Sequence, residues 1–233
     1  MSLGVEIQDL SNRIQADLMA AHDYYHHTRL SWRLLRAQAR RGVRFTVRNP
    51  ITGTTVNEKL LMDLSGHYES ILLAESVFQH FIALFEDFVF EFLRLWLAAH
   101  PAGIPNKERK PVDLATVIDA PDREAILRAV IVRELNALKY ERPTAWFRYI
   151  NDRVKLGVPT DEQLERFAEA KATRDILAHN RGVVNPTYLE KAGNRSRYQI
   201  GQRLEIPEPY LHDAWQLVRG MVEDLAAAAM AKA

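Results

Sequence analysis

The stretch VFQHFIALFEDFVFEFLRLWLAA, residues 77–99, decides the fold class of this chain. Its apolar side chains recur at steps of three and four residues, which places them on one broad face of an α-helix. Charged side chains interrupt the run too often for a segment that crosses a membrane. We therefore expect a helix buried at the centre of a helical protein. Its inward face would consist of Phe78, Phe81, Ile82, Phe85, Val89, Phe92, Leu93 and Trp96.

The same periodicity predicts helices on both sides of this segment. The first runs from Val5 to about Arg40, either unbroken or divided near His26, and the central helix starts at about Ser65. A basic, proline-containing loop follows the central helix and runs to Pro121. Later helices are predicted to start at Asp119 or Pro121, before Trp146, at the cap residue Thr160, at Asn185 or Pro186, and at Glu208. The helix that starts at Thr160 would end at Asn180 or Arg181.

Two short segments depart from the helical pattern. Val43, Phe45 and Val47 alternate with polar residues before a turn that contains Pro50 and Gly53, which predicts a strand or hairpin. Residues 197–206 also look extended. The sequence therefore predicts an all-α helical bundle with long antiparallel helices. Minor β-hairpin or extended elements would lie near 43–56 and 197–206, and residues 1–233 would form a single domain.

Composition excludes several classes of function. A net charge of +1 gives no overall attraction to nucleic acid or membrane, so such an argument must rest on local charge. The absence of cysteine excludes disulfides, thiolate metal sites and cysteine nucleophiles, and a reducing cytoplasm fits this composition. Charged residues in the first predicted helix argue against a signal peptide. The chain also has no phosphate-binding glycine loop, nucleophile elbow or dinucleotide-binding fingerprint.

Local charge is concentrated near the N-terminal third of the chain. Seven arginines and no acidic residue lie between Tyr24 and Asn57. Their spacing places four on one side of the first helix and two on one face of the predicted strand, as in surfaces that contact phosphates. Pairing with acids elsewhere in the chain is an equally good interpretation. The seven are Arg29, Arg33, Arg36, Arg40, Arg41, Arg44 and Arg48.

A candidate active site lies in KATRDILAHNRGVVNPTYLEKAG, residues 171–193. Asp175 and His179 are four residues apart on one face of a helix, and Arg174 is about 140° around it but long enough to reach back. Both Asp175 and His179 stand where the apolar stripe of the helix continues, so we expect them to point inward. Burying them unpaired would cost roughly 1 to 3 kcal/mol each. The alternative is structural: an Asp175–His179 hydrogen bond pins the helix end and Arg174 is solvated.

Two other groups of polar residues have weaker interpretations. His22, His26 and His27 include a pair at the spacing of metal ligands, but the glutamate of a zincin motif is missing, and a solvated helix face is favoured. Acidic residues on the central helix are candidate partners for an arginine of the active site. The amphipathic pattern of that helix explains their positions more simply. These acids are Glu86, Asp87 and Glu91. We predict no metal site.

The segment RDILAHNRGVVNPTYLEKAG resembles the signature region of HEPN domains, the nucleotide-binding and ribonuclease family of prokaryotes and higher eukaryotes. Arg174, Asp175 and His179 match the family's arginine, polar residue and histidine, although many members carry asparagine where this chain has Asp175. The phenylalanine-rich FIALFEDFVFEFLRLW, followed by His-Pro, is also similar to that of bacterial members. The resemblance covers about residues 65–206.

The resemblance implies a helical bundle that dimerises so that two motifs face one another. It also implies metal-independent RNA cleavage in active members, and RNA or nucleotide binding without chemistry in others. Bacterial relatives often act in toxin–antitoxin, phage-defence or stress systems, where a regulatory partner protein restrains them.

The leading hypothesis is therefore a cytoplasmic, homodimeric endoribonuclease that cleaves single-stranded RNA without a metal or other cofactor. His179 would act as acid and base, Arg174 would hold the phosphate, and Asp175 would orient them. One alternative is a non-catalytic module that binds RNA or a nucleotide beside a partner protein, and another is a purely structural helical protein. Predicted RNA-binding residues are Asn180, Arg181, Arg40, Arg44, Arg48, Arg195, Arg197 and Tyr198.

Overall fold

The structure is a computed structural model that describes residues 2–104 and 114–233. Helices make up most of these residues. The helices are α1 (Leu3–Arg40), α2 (Glu58–His67), α3 (Leu73–Ala99), α4 (Leu114–Ile118), α5 (Arg123–Lys139), α6 (Pro143–Val154), α7 (Asp161–His179), α8 (Pro186–Ala192) and α9 (Glu208–Met230). A π-helical turn, Tyr68–Leu72, joins α2 to α3, and 3₁₀ turns cover Pro101–Gly103 and Gly193–Arg195. Among the described residues, β1 (Thr46–Arg48) and β2 (Thr55–Asn57) form a single antiparallel hairpin. The all-α bundle with a minor hairpin is confirmed.

The predicted central helix is the centre of the core. α3 packs against α1, α5, α7 and α9, and all eight side chains of its predicted inward face are buried. Burying a side chain of this size contributes about 1.5 to 3 kcal/mol, so this face supplies much of the driving force for folding. The rings of Phe85 and Phe167 meet edge to face with centroids 4.6 Å apart. This contact fixes α7, which carries the candidate site, against α3.

α1 runs through His26 without a break, so the proposed division there is wrong. Its buried side chains end at Tyr25, while Leu30 and Leu34 are exposed. The last four turns of α1 therefore extend past the core and lead into the β1–β2 hairpin. Arg44 precedes β1, so it does not share a strand face with Arg48 as predicted.

Other boundaries differ from the prediction by small amounts. α5 begins after Asp122, whose side chain accepts the Ala125 N–H, rather than at Asp119 or Pro121. The helical run before the core begins at Glu58, not Ser65. Residues 197–206, predicted to be extended, contain no helix and form one isolated bridge, from Arg203 to Val183. The predicted proline-containing loop falls partly on residues 105–113, which lie outside the described residues.

The start of α7 follows the prediction closely. Thr160 caps it, and Gln163 completes a capping box by accepting the Thr160 N–H. In the part of the chain that the structure describes, no helix combines the length and apolarity needed to cross a membrane.

Candidate functional site

The end of α7 is held by a small apolar cluster separate from the main core. Ala172 and Ile176 of α7 pack with Tyr188 and Ala192 of α8, and with residues of the segments on either side of α8. The chain turns sharply between the two helices because Arg181 and Gly182 both adopt positive φ, at 54° and 76°. This arrangement positions the last two turns of α7, where the predicted catalytic residues lie.

Asp175 is surrounded by cations. Its carboxylate lies 3.0 Å from Lys191 Nζ, 3.2 Å from Arg174 Nη1 and 3.6 Å from Lys171 Nζ. Burial acts to raise the pKa of Asp175, but the three cations outweigh it and the pKa lies below its ordinary value. Asp175 is therefore ionised at neutral pH and fixes the side chain of Arg174.

The central helix reaches this cluster through a lysine. Glu86 of α3 accepts a hydrogen bond of 2.6 Å from Lys171, which is itself near Asp175. The alternative that α3 acids contact an arginine of the site is wrong for Glu86, because its carboxylate pairs with Lys171 instead. Asp87 is exposed, and Glu91 pairs with Arg94 on its own helix.

His179 does not point inward. Its side chain is exposed and makes no hydrogen bond or ion pair with any residue in the two described ranges. Ile176 is the last buried residue of α7, and Leu177 is partly buried against the main core, whereas Ala178 and His179 are exposed. The predicted inward position of His179 is wrong, and so is the structural Asp175–His179 hydrogen bond. Arg174, in contrast, is half-buried rather than solvated.

The seven arginines between Tyr24 and Asn57 divide into two groups. Arg29, Arg33 and Arg36 all contact the carboxylate of Glu69, which is buried in the π-helical turn, and Arg29 also pairs with Glu208. For these three, pairing with distant acids is the correct interpretation.

The other four make no ion pair within the described residues and are exposed. They lie at the end of α1 and in the hairpin that follows: Arg40, Arg41, Arg44 and Arg48. The predicted RNA-binding residues Arg40, Arg44 and Arg48 therefore have free guanidinium groups on the projecting end of the protein.

Sequence reasoning missed the most buried charge on α7. Glu169 is 4% exposed and accepts hydrogen bonds from Thr173, Tyr188, Tyr210 and Arg197. The sequence did contain a signal for the burial of Glu169, because residues 169, 172, 173 and 176 lie along one inward-facing stripe of α7. Glu169 joins α7 to α8, to α9 and to the segment after α8.

The segment after α8, which carries the predicted RNA-binding residues Arg195, Arg197 and Tyr198, folds onto this carboxylate. Arg197 Nε donates to Glu169 at 3.1 Å, and its guanidinium carbon lies 3.4 Å from the centre of the Tyr210 ring. Tyr198 is half-buried. Its hydroxyl donates a hydrogen bond to the backbone carbonyl of Glu205 and accepts one from the backbone N–H of the same residue. Arg195 is more exposed and pairs with Glu165 at 3.2 Å.

Asn180 and Arg181 are close to His179 along the chain. The Asn180 side chain donates to the carbonyl of Val183 and closes the turn after α7. Arg181 is exposed and has no partner in the described ranges, so it and His179 are both available at this end of α7.

Of the three histidines in α1, His22 and His26 contact each other, and the three do not form a set of metal ligands. Nε2 of His22 and Nε2 of His26 are 3.1 Å apart, and His22 stacks on Trp215 of α9. Burial lowers the pKa of His22, and the neighbouring histidines lower it further. His27 is exposed. Over residues 2–104 and 114–233, no three or more metal-binding side chains are arranged to hold an ion.

Comparison with protein-family models, curated proteins and solved structures finds no match to this chain. Its function must therefore be argued from its own residues.

Proposed function

We propose that the protein is a metal-independent endoribonuclease of HEPN type that cleaves single-stranded RNA. The supporting observation is the arrangement at the end of α7. Arg174 is half-buried and fixed by the ionised Asp175, while His179, five residues later, is exposed and unpaired among the described residues. A fixed cation and a free imidazole near the end of the same helix suit phosphodiester chemistry. The resemblance of residues 174–193 to HEPN domains supports the same assignment.

The reaction needs proton transfer and charge stabilisation, not a metal. The 2′-hydroxyl of the RNA attacks the adjacent phosphorus, and the bond from phosphorus to the 5′-oxygen breaks. A base removes the 2′-hydroxyl proton and an acid gives a proton to the departing 5′-oxygen. Histidine suits both roles because its unperturbed pKa is about 6.5. The guanidinium of Arg174 stabilises the negative charge that develops on the phosphate oxygens.

A dimer would complete this site. A single chain supplies one exposed His179, whereas simultaneous acid and base catalysis is served best by two histidines. The exposed side of the last turn of α7, which carries His179, leaves room for the same surface of a second copy. The proposed enzyme is thus a homodimer, and Arg181 and Asn180 would contact the RNA beside the reacting phosphate.

The remaining parts of the proposal concern RNA capture and cellular context. Arg40, Arg44 and Arg48 carry no ion pair within the described residues, so they can contact RNA phosphates outside the reaction centre. The resemblance supports a role in toxin–antitoxin, phage-defence or stress systems and a regulatory partner protein, and the absence of cysteine fits a cytoplasmic location.

Matched substitutions test the assignment. Purified protein should cleave single-stranded RNA in excess chelator, and His179→Ala or Arg174→Ala should each reduce the rate by a factor of about 100 or more. His80→Ala and Arg148→Ala are the controls, because both side chains are exposed and have no partner in the described ranges. Circular dichroism must show that all four variants are folded. Full activity in His179→Ala would refute the proposal.

The second candidate is a non-catalytic RNA- or nucleotide-binding module that acts beside a partner protein. One observation favours it: Asp175 contacts three cations and not His179, so it does not orient the imidazole. RNA binding that weakens with salt, depends on Arg40, Arg44 and Arg48, and occurs with no cleavage would support this candidate over the enzyme.

A further inference from the structure

The hairpin that follows α1 carries exposed aliphatic side chains at the projecting end of the protein. Val43, Val47 and Ile51 are all exposed, and Ile51, in the turn between β1 and β2, is 92% exposed. None of the three belongs to either apolar cluster of the described residues. Val47 pairs across the hairpin with Val56, so these two side chains share one face of it. Single apolar side chains are common on protein surfaces, but here three lie close together along the chain.

The turn of the hairpin holds Ile51 in its exposed position. The side chain of Asn49 accepts hydrogen bonds from the backbone N–H groups of Ile51 and Thr52, at 2.9 and 3.1 Å. The backbone of Asn49 also accepts from Gly53 and donates to Thr54, at 2.9 and 2.8 Å. These bonds define one conformation of the turn, and in that conformation the Ile51 side chain projects into solvent.

Cationic side chains accompany this apolar turn. The guanidinium of Arg48 lies beside Gly53, because its Nη2 is 3.8 Å from the position that a Cβ would occupy there. Three more arginines precede it in the chain, and all four are exposed with no ion pair within the described residues. The other three are Arg40, Arg41 and Arg44.

No acidic side chain offsets these charges within the segment. Residues 24–57 contain no aspartate or glutamate, and the acids on either side of them are Asp23 and Glu58. Asp23 is more than four helical turns before Arg40 in α1, which is about 25 Å. Glu58 follows the last residue of β2, at the end of the hairpin opposite to the turn. The local charge of the projecting end is therefore positive, although the net charge of the chain is only +1.

RNA would account for only part of this surface. Its phosphates suit the unpaired arginines, but its polar backbone has no apolar region to cover Ile51 or Val47. Unpaired bases stack chiefly on aromatic rings, and Phe45, the one aromatic residue in 41–57, is half-buried. The surface of an anionic bilayer offers both kinds of contact, because its headgroup phosphates bind guanidinium groups and its acyl chains accept aliphatic side chains.

We propose that the hairpin tip, residues 40–54, docks on the surface of a membrane that contains anionic phospholipid. Ile51 enters the boundary between the headgroups and the acyl chains, and the four arginines contact headgroup phosphates. The binding is peripheral and reversible, since its strength is the sum of a small apolar contact and an electrostatic attraction. This surface goes beyond the proposed nuclease function and does not depend on it.

Co-sedimentation with lipid vesicles tests the proposal with the full chain, after bound nucleic acid has been removed at high salt. The vesicles contain phosphatidylcholine, either alone or mixed with phosphatidylglycerol. Ile51→Ser and Arg48→Ala are the test variants, because both side chains are exposed and can be shortened without loss of packing. The matched controls are Ile118→Ser in α4, where the isoleucine is 70% exposed, and Arg148→Ala in α6, where the arginine is exposed. Circular dichroism must show that all four variants are folded.

We expect the wild type and both controls to bind the mixed vesicles and not those of phosphatidylcholine alone, and salt should release them. Ile51→Ser should weaken binding by roughly tenfold and Arg48→Ala by roughly fivefold. His179→Ala should bind vesicles as the wild type does, which separates this result from the outcome of the cleavage assay. Absence of binding by the wild type, or a test variant that binds as tightly as its control, overturns the proposal. RNA binding that depends on Arg48 but not on Ile51, without vesicle binding, would assign the tip to RNA instead.

A fluorescent label at the tip provides an independent measurement. Because the chain has no cysteine, Ile51→Cys creates a single attachment point for an environment-sensitive fluorophore. Its emission should shift to shorter wavelength when mixed vesicles are added, whereas the same fluorophore at Ile118→Cys should not respond. Equal shifts at the two positions would contradict docking through the hairpin tip.

Discussion

Removing the carboxylate of Glu169 is expected to destabilise the protein more than removing any exposed acid of α7. Glu169→Ala leaves the Arg197 guanidinium and the hydroxyls of Tyr188, Tyr210 and Thr173 without their shared acceptor. Breaking a buried charged pair by deleting one partner costs roughly 3 to 5 kcal/mol. For a chain of this size that corresponds to a fall in melting temperature of roughly 6 to 20 °C.

The control for this experiment lies one turn earlier on the same helix. Glu165 is exposed and pairs with Arg195, so Glu165→Ala should cost about 0 to 1 kcal/mol. Tyr210→Phe removes a single donor from Glu169 and should fall between the two, at about 1.5 to 3 kcal/mol. Urea denaturation followed by circular dichroism at 222 nm measures all three. Equal midpoints for Glu169→Ala and Glu165→Ala would show that the Glu169 network does not hold α7, α8 and α9 together.

Two further predictions concern the same end of α7. Because the folded pKa of Asp175 is depressed, its contribution to stability is present above the unfolded pKa of about 3.9 and is lost as the pH falls through the folded value. The stability difference between wild type and Asp175→Asn should therefore shrink on acidification below about pH 4, and a difference that grows instead contradicts the ion cluster. Gly182→Ala should cost about 1 to 2 kcal/mol because φ is 76°, whereas Gly66→Ala, with open space around it in α2, should be neutral or stabilising by up to about 1 kcal/mol. Denaturation midpoints that move in the same direction for both glycines would rule out this explanation.

The parts of the fold that depend on local pattern could be predicted from the sequence. The steps of three and four in residues 77–99 identified the buried face of α3, because burial of a helix follows its own periodicity. Thr160 and Asn185 marked the starts of α7 and α8, since capping involves residues only three apart. The alternation at 43–47 predicted the hairpin, although β1 begins only at Thr46.

Features that depend on distant partners could not be predicted. Glu69 meets Arg29, Arg33 and Arg36 because the π-helical turn faces the end of α1, and no pattern within either segment indicates this pairing.

His179 was misplaced for a related reason. Periodicity shows which side of a helix a residue occupies, but whether that side is covered depends on where the following chain goes. The turn at Arg181 and Gly182 leads the chain away from His179, while Lys191 of α8 returns to Asp175.

The chemical nature of the RNA ends produced in excess chelator tests the central claim most directly. Wild-type protein incubated with single-stranded RNA should leave 2′,3′-cyclic phosphate and 5′-hydroxyl ends, identified by mass spectrometry, because the RNA's own 2′-hydroxyl is the nucleophile. Products with 3′-hydroxyl and 5′-phosphate ends, or cleavage that requires added metal, would contradict the assignment of Arg174 and His179 as a metal-independent site.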